Sequence, residues 1–158
     1  MDKTVKLEVV DNHRTARIND CRIISLNRNH HANGNLTAVN NGEELPFDVL
    51  RTFYIYDVPG GAQRGGHSHY MSQQFIIAIS GSFDVTLDDG QDQFTYTLNR
   101  PYQGLLVVPG VWNRLHNFSS GSVCLVLNSH QYDEADYVRD YDKFLELKRE
   151  SFEIETGR

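Results

Sequence analysis

The stretch GAQRGGHSHYMSQQFIIAISG, residues 61–81, decides how the chain is read. Its two histidines, His67 and His69, stand two apart, and residues two apart on a strand share a face. They therefore point together, either into a closed sheet or out to water. Gly65 and Gly66 just before them permit a sharp turn or a close backbone approach. An apolar run, FIIAI, follows and stops at Gly81.

The rest of the chain has the same grain. Phe83, Val85 and Leu87 alternate with Asp84 and Thr86, which is period two, and Asp89-Gly90 then signals a hairpin to QFTYTL. VLRTFYIYDV, residues 49–58, is rich in β-branched and aromatic residues and reads as a strand. GLLVVPG and SVCLVLNS are continuous apolar runs, as strands buried on both faces are. CRIISL and LTAVN are further strand candidates, VKLEVV a possible edge strand, and NHHANGNL and PGGAQRGG are expected loops. Only DEADYVRDYDKFLELKRE, residues 133–150, has helical spacing, through Tyr137, Tyr141, Phe144, Leu145 and Lys148, with Asp133 as its expected start. Eight to ten short strands with one C-terminal helix predict an all-β barrel or sandwich.

The 158 residues suit one domain. The expected division is an N-terminal extension or edge strand over 1–20, a main domain over 21–146, the span of the family resemblance given below, and a tail over 147–158. Net charge is −6, which argues against nucleic acid as a partner. No stretch approaches the ~18 apolar residues of a membrane span, and MDKTVKLEVV carries no signal-peptide run. A cytoplasmic protein with no membrane partner is expected, with Cys21 and Cys124 as reduced packing residues.

The spacing of the opening stretch resembles the first motif of the cupins, small jelly-roll β-barrels. Gly61, five residues, His67-x-His69, four residues, Gln74, six residues and Gly81 match it, except that glutamine replaces the usual glutamate. The second motif normally places a histidine five residues after its proline; Pro109 plus five is Arg114, and His116 lies two further. A neutral amide and a cation both work against a divalent metal, which wants imidazoles and a carboxylate. Neutral imidazoles can instead move protons near pH 7.

Several stretches together, FYIYDV, RGGHSHY, GSFDVTLDDG, GLLVVPGVWNRLHNFS and CLVLNSHQYDEADYVRDYDKF, resemble the sugar 3,4-ketoisomerase family over residues 21–146. The resemblance implies a cupin-type enzyme without metal or other cofactor. Its expected substrate is dTDP-4-keto-6-deoxyglucose, whose carbonyl moves from C4 to C3 on the way to 3-amino-3,6-dideoxyhexoses. It implies homodimers with exchanged N-terminal strands. It assigns His67 and His69 to proton transfer, places Tyr54 and Arg64 in the active site, and matches Gln74 and His116 to family positions. Departures from the family pattern are Tyr70 after the second histidine, Asn113 and Arg114 after Trp112, and Ala32-Asn33-Gly34-Asn35 in an early loop.

Chemistry adds to these assignments. His67 is the preferred base for the C3 proton, with return to C4 by the same residue or by His69. Tyr54 and Arg64 are candidates to hold the enolate oxygen. Arg51, Arg64 and Arg114 are candidates for the diphosphate, and Trp112 or Tyr102 for stacking on the base. Asp88 and Asp89 read as turn formers. A metal-dependent cupin enzyme, a non-catalytic sugar-binding cupin and a 4-keto-sugar epimerase are the alternatives. The epimerase needs a carboxylate behind its histidine, for which Asp57 is the place to look.

Overall fold

The computed structural model describes residues 12–156, with side chains over 12–149. The edge strand expected in VKLEVV lies outside the described residues. Among the described residues twelve strands follow in chain order, β1 (Arg22–Ser25), β2 (Asn29–His31), β3 (Gly34–Leu36), β4 (Arg51–Ile55), β5 (Arg64–His69), β6 (Gln74–Ser80), β7 (Phe83–Asp88), β8 (Gln93–Leu98), β9 (Gln103–Val107), β10 (Trp112–His116), β11 (Val123–Asn128) and β12 (Tyr137–Val138), and then a C-terminal helix, α1 (Tyr141–Thr156). One sheet runs β1-β9-β6-β11-β4, the other β12-β5-β10-β7-β8, and every pairing is antiparallel. The expected all-β, cupin-like barrel is the observed architecture.

The period-two pattern of β7 works as expected. Phe83, Val85 and Leu87 are fully buried and join Ile76, Ala78, Leu105, Val107, Leu115, Cys124 and Val126 in the core between the sheets. Cys21 and Cys124 are free thiols in this core, and burial pushes them up to about 11 and 12. The continuous apolar run of β9 is buried on both faces because a second cluster covers the outer side of the five-stranded sheet around β6. There Phe75, Ile77, Leu106 and Leu127 pack under Leu45 and Phe47. A third cluster seats α1 on the outside of the other sheet, through Phe144, Leu147, Val138 and Trp112.

Four expectations are corrected. NHHANGNL is not a loop but the β2–β3 hairpin, while LTAVN forms no strand beyond Leu36. All six hairpin residues are exposed, so there was no alternation to read. PGGAQRGG is a loop only up to Gln63, because β5 begins at Arg64. The helix does not start near Asp133. Asp133 caps a single 3-10 turn, Glu134–Asp136, by accepting from Ala135 N. Tyr137 and Val138 then pair with His69 and Ser68. Asp140 caps α1, its Oδ1 accepting from the amides of Asp142 and Lys143. Leu147 and Lys148 are buried parts of this helix.

Candidate active site

The histidine strand enters the barrel through a bulge. Asn113 faces His67 across the ladder, but Arg114 faces Gly65 and Leu115 faces Arg64, so one residue of β5 is extra. Gly65 and Gly66 both sit at φ 78°, a left-handed conformation that glycine adopts without cost. The bulge turns Arg64 to the same side as the buried Leu115. As a result Arg64 and His67 both line a cavity of about 800 Å3 at one end of the barrel. Arg51, Gln74, Tyr132, Tyr137 and Arg139 also line it.

His67 lines this cavity, and the buried His69 packs against it with ring centroids 4.9 Å apart, edge to face, without being one of the lining residues. Their environments differ. His69 Nδ1 lies 3.0 Å from Asp136 Oδ2. That carboxylate also accepts from Ser72 Oγ at 2.5 Å and from the Met71 amide at 2.7 Å. Burial alone would raise the Asp136 carboxyl, but the hydrogen bonds from His69, Ser72 and Met71 hold it below the usual range. An ionised carboxylate only accepts, so Nδ1 of His69 carries the hydrogen and Nε2 keeps its lone pair. Nε2 is buried and has no partner among the described residues. His67 has no partner on either buried nitrogen. Burial, then the neighbouring His69 and the Arg139 guanidinium, pull its pKa down to about 3. His67 is therefore neutral at working pH and a weak base.

The segment expected to be helical builds the rest of the site. Because β12 pairs with β5, the Tyr137 ring packs 4.4 Å from His69 and 5.1 Å from His67. Arg51 Nη1 donates to the Tyr137 hydroxyl at 3.3 Å. Arg139 stacks over the Tyr137 ring at 4.2 Å and grips Glu134 with two nitrogens, at 2.7 and 3.0 Å. Tyr132 OH donates to the same carboxylate, and the two partners hold Glu134 down to about 2. Gln74 donates to Asn128 Oδ1 at 3.0 Å, a buried amide pair where a metal-binding cupin has its carboxylate.

Four expected site residues stand elsewhere in this chain. Strand β10 alternates, and Asn113 and Leu115 take the cavity side. Trp112, Arg114 and His116 consequently face outward. Trp112 packs on Tyr141 and Phe144 of α1, Arg114 donates to Gln63 Oε1 at 3.4 Å, and His116 Nε2 lies 2.7 Å from Thr86 Oγ1. Tyr54 does line the 800 Å3 cavity, together with Tyr56, against which it rests, and is 62 % exposed. Tyr102 lies under Arg28 beside a different cavity, of about 660 Å3, outside the five-stranded sheet. Asp57 is exposed, and the carboxylate that pairs with a histidine is Asp136, which serves His69. Asp88 and Asp89 are turn formers as expected, accepting from the amides of Gly90, Gln91 and Asp92.

A family model described as WxcM-like, C-terminal (FdtA) matches residues 19–149. The TDP-4-oxo-6-deoxy-alpha-D-glucose-3,4-oxoisomerase of Aneurinibacillus thermoaerophilus is 40 % identical over 123 residues, which span 78 % of this chain and 88 % of that protein. Among solved structures, a 3,4-ketoisomerase from Helicobacter canadensis is 38 % identical with a TM-score of 0.79, over 81 % of this chain and 96 % of the other. A variant of the 3,4-ketoisomerase QdtA from Thermoanaerobacterium thermosaccharolyticum, solved with TDP-4-keto-6-deoxyglucose, is 33 % identical with a TM-score of 0.81, over 84 % and 96 %.

Proposed function

The chain belongs to the WxcM-like (FdtA) family of sugar 3,4-ketoisomerases, and from that premise we propose that it moves the carbonyl of a dTDP-linked 4-keto-6-deoxyhexose from C4 to C3, for the synthesis of 3-amino-3,6-dideoxyhexoses. The observation that carries the reading is the buried imidazole pair with a carboxylate behind one ring and guanidinium groups around the cavity.

A C–H bond beside a ketone is weakly acidic, and its proton needs a base that can hold it and give it back. His69 fits that role better than the initially preferred His67. The Asp136 carboxylate orients its ring and offsets the positive charge that forms when Nε2 takes the C3 proton. The same nitrogen returns the proton to C4. Neutral His67 remains beside it as a hydrogen-bond partner for sugar hydroxyls. Such base catalysis contributes roughly 10²–10⁴-fold. Arg51, Arg64 and Arg139 line the cavity and suit the diphosphate, since a guanidinium can grip paired oxygens.

Incubation with dTDP-4-keto-6-deoxyglucose in deuterated water, followed by NMR, tests the assignment. The expected result is a carbonyl at C3 and a hydrogen or deuterium newly bound at C4, whose coupling gives the configuration. An unchanged substrate would remove this reading, and a carbonyl that stays at C4 while a neighbouring carbon inverts would replace it with epimerisation.

We also propose the homodimer with exchanged N-terminal strands. Tyr54 of β4, Tyr56 just beyond it and Ile79 of β6 are exposed, with apolar surface uncovered in the single chain. Light scattering at micromolar concentration should give about twice 18.1 kDa, and the mass of one chain would refute the dimer.

A further inference from the structure

A strand that points two side chains one way points the residue between them the other way. Ser68 stands between His67 and His69 on β5 and is fully buried on the outer face of that strand. Whatever holds Ser68 from outside therefore sets the roll of the strand about its own axis. With the roll it sets the direction in which both imidazoles are presented.

We propose that His13 is the positioning residue that does this; the inference rests on the reading above in which the histidine pair carries the chemistry. His13 is fully buried, and its Nε2 hydrogen-bonds Ser68 Oγ at 2.9 Å. Its ring packs edge-on against Tyr70 and against Phe144 of α1, at centroid distances of 5.1 and 6.0 Å, so it cannot follow a strand that rotates. Its neighbour Asn12 holds the same segment at its end, where Nδ2 donates to Tyr70 O at 2.7 Å. Gly110, whose amide donates to the His69 carbonyl at 2.8 Å, lies so close to the Asn12 carbonyl that a Cβ there would collide with it. His13 lies ahead of residues 19–149, the stretch that matches the family.

The ladder alone holds the histidines weakly. Strand β10 pairs with β5 only as far as His67, across the bulge at Gly65 and Gly66. On the other edge β12 pairs with Ser68 and His69 through two residues, Val138 and Tyr137. Two left-handed glycines beside so short a ladder leave the strand's roll underdetermined. A buried hydrogen bond between two side chains adds little net stability over an apolar pair of the same shape, but it has one geometry. Fixing that geometry is what the His13–Ser68 bond contributes.

Full-length His13→Leu fills the space but cannot hydrogen-bond Ser68. With dTDP-4-keto-6-deoxyglucose, well below the variant's melting range, its kcat should fall by about 10–10²-fold while KM stays within about threefold of wild type. His13→Gln can place its amide where Nε2 stood, and should recover kcat to within about fivefold of wild type. Ser68→Ala, the smaller lesion, should lose about as much as His13→Leu and keeps the test open if leucine unfolds the chain. The double variant should lose no more than either single one. In NMR of the substrate-free protein, the ring signals of His67 and His69 should shift in both single variants, a change that does not depend on turnover. A merely structural His13 gives a lower melting temperature with kcat within about threefold of wild type, and that result overturns the proposal. So do unmoved imidazole signals, losses that add in full in the double variant, and a glutamine variant no better than the leucine one. A wild type that leaves the sugar untouched defeats the ketoisomerase reading instead, while the imidazole signals still decide whether His13 sets the direction of the pair.

Discussion

Asp136→Asn lowers kcat by about 10²–10³-fold, His69→Asn by about 10³–10⁴-fold, and the double variant by no more than His69→Asn alone. In the proposed mechanism Asp136 acts through His69 rather than on the sugar. An asparagine in its place can turn its amide nitrogen toward Nδ1 and so favour the tautomer whose Nε2 is already protonated, a ring that cannot take the C3 proton. That is a fault of orientation and charge, and it disappears once the ring is gone. Hence the second loss is absent in the double variant. The stability cost is separate. Asp136 also accepts from Met71 and Ser72, so asparagine leaves one of those donors poorly paired, at about 1–3 kcal/mol. Thermal melting measures this, and TDP affinity shows whether the site is otherwise intact. Losses that add in full, with Asp136→Asn slowing turnover as much in the His69→Asn background as in wild type, would separate the carboxylate from the histidine.

The barrel and the histidine pair were legible because both are written in period two. The alternation of β7, the double-sided apolar run of β9 and the His-x-His spacing need only local parity to be read. What failed also failed on parity. Counting from Pro109 placed Arg114 at a ligand position and suggested that His116 shares its face with the site. Yet that face of β10 lies outside, where Trp112 seats α1 and His116 reaches Thr86. Nothing within WNRLH tells which of its two faces is inner, since it holds a polar residue on each side. The register with β5 decides it, and a bulge of two glycines sets that register.

The carboxylate was missed for a different reason. Asp136 and Tyr137 lie in a run whose spacing is helical over eighteen residues, and helical spacing hid a break. A signal was present. Asp140 stands directly before the segment that carries Phe144 and Leu147 one helical turn apart, and it is a better cap for that pattern than Asp133. Starting the helix at Asp140 would have freed residues 133–139 to be read as a turn and a strand beside the histidines. The N-terminal extension likewise held more than its composition indicates. His13 is buried on the outer side of the histidine strand, its Nε2 2.9 Å from Ser68 Oγ, and Asn12 donates to Tyr70 O. The strand that presents the imidazoles is thus held from behind by residues about 55 positions upstream, a pairing that no local pattern announces.

Gly104→Ala lowers stability by about 3 kcal/mol, a fall in Tm of roughly 6–12 °C for a chain of this size. Gly104 is in β9, opposite Ile77 of β6, and its backbone needs no unusual φ. Its lack of a side chain is what counts. A Cβ built there would lie 2.2 Å from the tip of the Phe75 ring and 2.6 Å from both flanking ring carbons. Phe75 is fully buried among Leu106, Leu127, Leu45 and Phe47, so the ring has no free space to swing into. The cost must appear as displaced backbone or an off-rotamer ring. Phe75→Leu shortens the side chain that clashes. The double variant should therefore melt above Gly104→Ala alone, although Phe75→Leu by itself destabilises. A Gly104→Ala protein melting within about 2 °C of the parent would mean that the sheet yields cheaply at this point. Activity supplies the control. The lesion lies on the outer side of β6, whereas Gln74 and Ile76 line the cavity from the inner side. Folded Gly104→Ala enzyme, assayed well below its melting range, should keep kcat within a fewfold of wild type, because the two faces of one sheet carry stability and chemistry separately.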